Sequence, residues 1–253
     1  PKDPLSNGRL CPRGTGGPGA HYDKERLKSP LIRKSERGEE KWVEVTWDEA
    51  FDYIAEKMNK IKINYGPESM ALFSHGIGGS FFKHMMRAYG SPNETAPSFA
   101  QCRGPREVGF ELTFGDVVGS PERTDIENAK CIVLIGSHLG ENMHNTQVQE
   151  FSRAVEKNAS IIVVDPRFSV AAGKAKYYLP IKPATDMSLL LAWMSVIVNE
   201  KLYDVDYVNK YGFGFEEFAT EISQYTPEWA YIETGIDPEL IRETAREMAR
   251  YKP

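Results

Sequence analysis

Cysteine is scarce in this chain: Cys11, Cys102 and Cys131 are the only three in 253 residues. An odd, widely spaced set with no Cys-x-x-Cys excludes a disulfide scaffold and a self-contained structural zinc site. Either these thiols are inert, or some belong to a site whose other ligands lie outside this chain. Long apolar runs are lacking as well. The longest, Cys131–Ile135 and Ser188–Val198, fall short of the roughly 20 residues a bilayer span requires, so no transmembrane segment is expected. There is no basic excess: 31 Lys and Arg stand against 36 Asp and Glu, net −5, and without a sustained basic run a nucleic-acid footprint is excluded. The dinucleotide fingerprint Gly-x-Gly-x-x-Gly is missing, which argues against an ordinary nicotinamide site.

What is present suits a globular protein with a real core. The chain is 41% hydrophobic and 26% charged, long enough for one large or two modest domains. Residues 1–40 are rich in Pro, Gly and charge and carry almost no periodicity, so they read as a structureless stretch that a cofactor or partner would order. The chain starts at Pro1 without an initiator Met or a signal sequence and stops at an evident helix, Asp237–Tyr251. It is expected to be a piece of something longer.

Periodicity organises the rest. Thr46-Trp-Asp-Glu49 is a capping box opening a helix with Ala50, Ile54, Met58 and Ile61 on one face, ending before Gly66-Pro67. A short strand is expected at Met70–Ser74. A helix from Ser80 to Tyr89 follows, with Phe81, Phe82, Met85 and Met86 inward and Gly90 closing it. His75 and His84 lack a second ligand at helical spacing and read as structural. Lys130–Ile135 is a continuous apolar run, the mark of a strand buried on both faces, with Cys131 in its core. A helix at Thr146–Lys157 and a second buried strand at Ser160–Val164 complete a parallel βαβ unit. A third strand is expected at Tyr177–Ile181 and a helix from Asp186 to Glu200. Thr226-Pro227 and Asp237-Pro238 each set a capping side chain before a first-turn proline. The fold class is therefore α/β, a Rossmann-like parallel sheet flanked by helices behind an irregular N-terminal segment.

In such sheets ligands bind beyond the carboxyl ends of the strands. That selects the loops Gly136–Asn142 and Asp165–Ser169. The first offers glycines and a following helix N-terminus, which suit close approach to phosphate; the second offers a carboxylate suited to a ribose hydroxyl or a base edge. Together they point to a nucleotide or dinucleotide without saying which, unless Gly136 and Gly140 merely serve turns. Cys102, flanked by Arg103 and Arg106, sits where positive charge favours thiolate, the form needed in a nucleophile or soft-metal ligand; a lone thiol is as readily inert. Cys11, ahead of Pro12, matches the Cys-Pro end of a cluster-binding run, but one ligand alone proves nothing.

In this order the motifs resemble the molybdopterin oxidoreductase superfamily of the dimethyl-sulfoxide-reductase type. The segments that carry the resemblance are Gly8-Arg-Leu-Cys-Pro-Arg-Gly14, Tyr22–Leu27 with Pro30–Arg33, Arg37-Gly38 through Trp47–Ala50, Ile135–Glu141, Val164–Arg167 and Leu179–Asp186. The wording at Gly8–Gly14, His144–Gln147 and Tyr225–Trp229 is most similar to the polysulfide/thiosulfate reductase branch. The resemblance implies a bis-molybdopterin guanine dinucleotide cofactor with molybdenum or tungsten, and a [4Fe–4S] cluster. By it, Cys11 is the fourth cluster ligand and Arg13 the cation between cluster and pterin. Cys102 is the molybdenum ligand, and Gly136, Ser137, Glu141, Asp165, Arg167 and Asp186 surround the dinucleotide tails.

It also implies three segments: residues 1–45 as the remnant of a cluster domain, 46–98 as a partial α/β domain, and 99–253 as an incomplete pterin-dinucleotide domain. Two departures matter. The usual Pro-Gly-Thr-Asp is Pro183-Ala-Thr-Asp186 here, and Arg103 stands where formate dehydrogenases carry a proton-transferring His. Arginine cannot shuttle protons at neutral pH but can hold an anion, which favours a small inorganic sulfur substrate. The implied partners are an iron–sulfur electron-transfer subunit and a membrane quinol-oxidising subunit. The implied location is the outer face of the cytoplasmic membrane, reached by an upstream twin-arginine signal. The fragment alone is expected to be inactive. The alternatives are another anion reductase or a formate dehydrogenase of the same superfamily, or a nucleotide-binding scaffold module without catalysis. A nicotinamide dehydrogenase is disfavoured by the missing fingerprint.

Overall fold

The computed structural model describes residues 3, 6–96, 104–116, 124–137, 139, 141 and 145–251, with the side chains of Ile77 and Asn145 left aside. Cys102 and Arg103, and His138, Gly140 and Asn142 of the first crevice loop, lie outside the described residues. The chain divides into two compact units, one built from Pro1–His21 with Thr124–Pro253 and the other from Tyr22–Arg123.

The first unit opens with helix α1, Pro12–His21, in the stretch expected to be structureless. Pro12 fits the first turn, where its missing N–H costs nothing, and the Thr15 N–H closes that turn on the Cys11 carbonyl at 3.0 Å. No residue of α1 is buried, so it has no apolar face for periodicity to reveal.

The second unit holds the antiparallel pair β1, Leu31–Arg33, and β2, Trp42–Glu44. Helix α2, Trp47–Tyr65, begins at the expected capping box: Glu49 N–H donates to Thr46 Oγ1 at 3.2 Å, and Thr46 N–H donates to Glu49 Oε2 at 2.8 Å. Strand β3 is shorter than expected, Leu72–Phe73. Helix α3 follows at Ser80–Tyr89, and β4, Glu94–Thr95, pairs with β3 in parallel. Gly90 closes α3 in the left-handed conformation, φ 103°. The Tyr89 hydroxyl donates to the Met58 carbonyl at 2.8 Å and ties α3 to α2. Of the residues expected inward on α3 only Met86 is buried; Phe81 is 80% and Phe82 55% exposed, and Met85 is exposed too. Ile54 of α2 is exposed as well, while Ala50 is buried. The reason is the size of the layer beneath: a two-stranded sheet gives one narrow strip of cover. Helix α4, Gly104–Phe114, is the last helix of this unit among the described residues.

The rest of the first unit is the α/β layer. Strands β5, Cys131–Ile135, β6, Ser160–Val164, and β7, Tyr177–Leu179, form a parallel sheet in the order β5-β6-β7. Cys131 pairs with Ser160 and Ile162 with Tyr177. Helix α5, Asn145–Glu156, joins β5 to β6; α6, Asp186–Asn199, follows β7, and α7, Val205–Tyr211, α8, Phe215–Ile222, α9, Pro227–Thr234, and α10, Pro238–Arg250, complete the chain. All five residues of β6 are buried. Their alternation divides the core: Ile162 and Val164 join Leu179, Leu189, Trp193 and Ile241 on the face covered by α6, α9 and α10, while Ile161 and Val163 join Ile132, Phe151 and Ala154 on the face covered by α5. Helices on both faces explain why this strand has no solvent-facing side. Cys131, expected in the core, is half-buried, because β5 is an edge strand of this sheet. Burial still pushes its thiol pKa up, which disfavours the reactive thiolate form.

Candidate functional site

Parallel strands release their loops on one edge of the sheet, so the segments after β5, β6 and β7 emerge together. Gly136 leaves β5 at φ +56°, and nothing lies within 4 Å of the place a Cβ would take. The glycine is there for backbone conformation, and the space beside it stays open. Its N–H donates to the Val164 carbonyl at 2.9 Å, stitching the first loop to the end of β6. Ser137 Oγ accepts from the Leu139 N–H at 3.3 Å, and Leu139, only 2% exposed, plugs the loop into the core on the α5 side.

The second loop is just as firmly set. Asp165 is 5% exposed, and its Oδ1 accepts from the Arg167 N–H at 2.8 Å, a side-chain-closed turn. Ser169 Oγ accepts from the Ala172 N–H at 3.2 Å and starts the next turn. Glu141 joins the two loops: one carboxylate oxygen accepts from Arg167 Nη2 at 3.0 Å and the other from the Val170 N–H at 3.3 Å. The Arg167 side chain remains 57% exposed, so the rest of its guanidinium donors face solvent. The structure thus brings Gly136, Ser137, Glu141, Asp165 and Arg167 together. Asp186 opens α6, in the segment that leaves the same sheet edge after β7. The turn before it is held by the Thr185 hydroxyl donating to the Lys182 carbonyl at 2.7 Å. Ala184 takes φ +67°, the left-handed conformation that glycine favours.

Cys11 stands immediately before α1, partly exposed. Backbone N–H groups of Gly14 and Arg13, and then the Arg13 side chain, hold its thiol pKa below the ordinary value against a small opposing effect of burial. These contacts favour the thiolate form, the one that ligates metals and clusters. Among the described residues no group of three or more His, Cys, Asp or Glu side chains is placed to hold a metal ion. Arg106, on α4, keeps a buried Nε with no hydrogen-bond partner among the described residues, a donor free for an anionic group.

Sequence reasoning missed one member of the first unit. Gln149, on the second turn of α5, is 9% exposed and bonded to the segment ahead of Cys11. The only signal was a polar residue beside Val148 and Phe151 on the inward side of an amphipathic helix.

The family model "Molybdopterin oxidoreductase" matches residues 26–226. The chain is 34% identical to the thiosulfate reductase molybdopterin-containing subunit PhsA of Salmonella typhimurium, over 100% of this chain and 33% of the relative. It is 34% identical to F420-dependent formate dehydrogenase 1 subunit alpha of Methanococcus maripaludis, over 97% of this chain and 36% of that protein. The solved structure of acetylene hydratase from Pelobacter acetylenicus superposes with a TM-score of 0.81 at 31% identity, over 96% of this chain and 34% of that one. The chain spans about a third of the length of the curated relatives it matches. With most of its length inside the family model, this chain belongs to the molybdopterin oxidoreductase family.

Proposed function

We propose that this chain is the part of a molybdopterin-dependent catalytic subunit that carries the metal-ligand thiol and a dinucleotide crevice, in an enzyme that reduces an inorganic sulfur compound such as thiosulfate or polysulfide. The observation that carries this reading is the Glu141 carboxylate spanning both crevice loops at the carboxyl ends of β5 and β6. A charge pair between loops leaves Arg167 oriented, with donors to spare for a phosphate.

The open space beside Gly136 and the exposed face of Arg167 fit an anionic dinucleotide tail. Gly136, Ser137, Asp165, Arg167 and Asp186 hold the tails, with Glu141 fixing Arg167, and Cys102 is the protein ligand of the metal. When bound, the metal and its pterins supply the two-electron redox chemistry. Arg103 holds the anionic substrate by charge and moves no proton. Cys11 contributes one thiolate to a [4Fe–4S] cluster, with Arg13 as the fixed positive charge at its side. Electrons come from an iron–sulfur subunit and a membrane quinol-oxidising subunit, on the exported side. Among the described residues no helix is long and apolar enough to cross a membrane. The sulfur substrate, rather than formate, rests on Arg103; the chain is 34% identical both to a thiosulfate reductase subunit and to a formate dehydrogenase subunit.

The test uses the full-length subunit with its partners, purified without oxygen, as wild type, Cys102→Ser, Arg167→Ala and Arg103→Ala. Wild type should contain molybdenum or tungsten and reduce thiosulfate or polysulfide with a reduced dye. Cys102→Ser should lose that activity and Arg167→Ala should release guanine nucleotide more readily. Arg103→Ala should raise KM for the sulfur anion by about tenfold or more, the worth of one charged hydrogen bond. Full activity in Cys102→Ser, or formate as the sole substrate, overturns the proposal.

A further inference from the structure

We infer that Gln149 is a positioning residue: it fastens the Cys11-bearing segment to helix α5 and so fixes where that thiol stands relative to the crevice loops. This deepens the reading of Cys11 as a cluster ligand and rests on it. A buried amide must satisfy its oxygen and its nitrogen, and Gln149 does so with one short stretch far away in sequence. Its Oε1 accepts from Asn7 Nδ2 at 3.3 Å and from the Arg9 guanidinium. Its Nε2 donates to the Ser6 carbonyl at 3.0 Å.

The described residues of that stretch are also hydrogen-bonded among themselves. The Ser6 N–H donates to Asp3 Oδ2 at 2.6 Å, the Asn7 N–H to the Asp3 carbonyl at 3.0 Å, and the Arg9 N–H to the Ser6 carbonyl at 3.1 Å. Asn7 and Gly8 adopt φ +51° and +76°. Apolar packing contributes little to holding it, since Leu10 is 71% exposed and α1 buries nothing. The tie is polar, and Gln149 is its hub. Glu141, which clamps the crevice loops, lies a few residues ahead of α5; Gln149 lies on that helix, roughly one turn past its start. Helix α5 therefore holds the Cys11 segment on its flank, within the same compact unit as the Glu141–Arg167 clamp. Hydrogen bonds to sulfur and solvent exposure set the potential of a thiolate-bound cluster, so loosening this tie should alter the cluster without removing its ligand.

The experiment compares full-length subunits: wild type, Cys11→Ser, Gln149→Leu, and the pair Asn7→Gly with Arg9→Ala. The paired variant strips the same hub from its exposed side, keeps the positive φ at position 7 with glycine, and decides the matter if Gln149→Leu fails to fold. Iron content, the electron paramagnetic resonance signal of the reduced cluster, its midpoint potential, and hydrogen exchange at residues 6–11 are measured. The anchor variants should retain iron yet show an altered signal and a moved potential, with exchange at residues 6–11 faster by roughly tenfold. Wild-type signal, potential and exchange in both anchor variants overturn the inference alone, provided Cys11→Ser loses iron. Full iron in Cys11→Ser overturns the cluster reading, and the inference falls with it.

Discussion

Ala184 and Glu247 show what single residues set here. At φ +67° the methyl group of Ala184 meets the steric penalty that glycine escapes, while the turn it sits in leads to Asp186. Ala184→Gly should therefore stabilise the chain by about 1 kcal/mol, seen as a higher denaturant midpoint with an unchanged slope. A lower midpoint would mean that the extra backbone freedom of the unfolded glycine chain dominates. Glu247 is 2% exposed and accepts from Ser160 Oγ at 2.6 Å and Lys176 Nζ at 2.7 Å, with Arg250 at 3.3 Å. Burial raises its carboxyl pKa, but the hydrogen bonds from Lys176 and Ser160 and the nearby positive charges outweigh that, and the net direction is down. A depressed carboxylate contributes stability that is present above the unfolded value of about 4.3 and lost as pH falls through the lower folded value. Lys176 has its pKa raised by the same bond, so its share is lost only as pH rises past the ordinary lysine range. Glu247→Gln should cost about 2 kcal/mol near neutral pH and flatten the acid limb of stability against pH; an acid limb as steep as wild type would sink this account.

Among elements, those with a strong local code were legible and those without one were not. The capping box of α2, the apolar runs of β5 and β6, and the Thr226-Pro227 and Asp237-Pro238 starts all appear within a residue or two of where the sequence puts them. Each rests on a neighbour-to-neighbour rule of capping, alternation or proline geometry. Helix α1 escaped because four glycines and an internal proline hide it, and because it buries no face. Exposure of Phe81 and Phe82 was illegible for another reason: an apolar helix face states what it needs covered, not whether this unit covers it. The crevice loops were legible from topology. Their clamp was not, since a Glu–Arg contact across 26 residues has no sequence period. The caps offer a direct check. Asp237 Oδ1 accepts from the Glu239 and Leu240 N–H groups at 2.9 and 3.4 Å, so Asp237→Ala should destabilise the unit by about 1 kcal/mol, while Asp237→Ser should restore most of it. Equal loss in both variants would show that something other than capping is at stake.

At the scale of the whole molecule the tryptophans report on the two units separately. Trp42 and Trp47 of the second unit are 54% and 62% exposed, whereas Trp193 of the first is 4% exposed and donates to Thr244 Oγ1 at 2.9 Å. Iodide should quench a red-shifted emission that Trp42→Phe with Trp47→Phe removes, and leave a blue-shifted, better protected emission from Trp193 and the partly buried Trp229. Uniform quenching would contradict the separation of a well-covered unit from a thinly covered one. The central place of β6 has a consequence for synthesis. Both sheet pairings run through it, and each closes only after an intervening crossover. A nascent chain that has emerged only as far as β5 has no partner for that strand, and parallel pairing across such loops is slow. The interval before Val164 clears the ribosome is thus the one in which an apolar strand stands alone, and in which a holding chaperone has the most to shield.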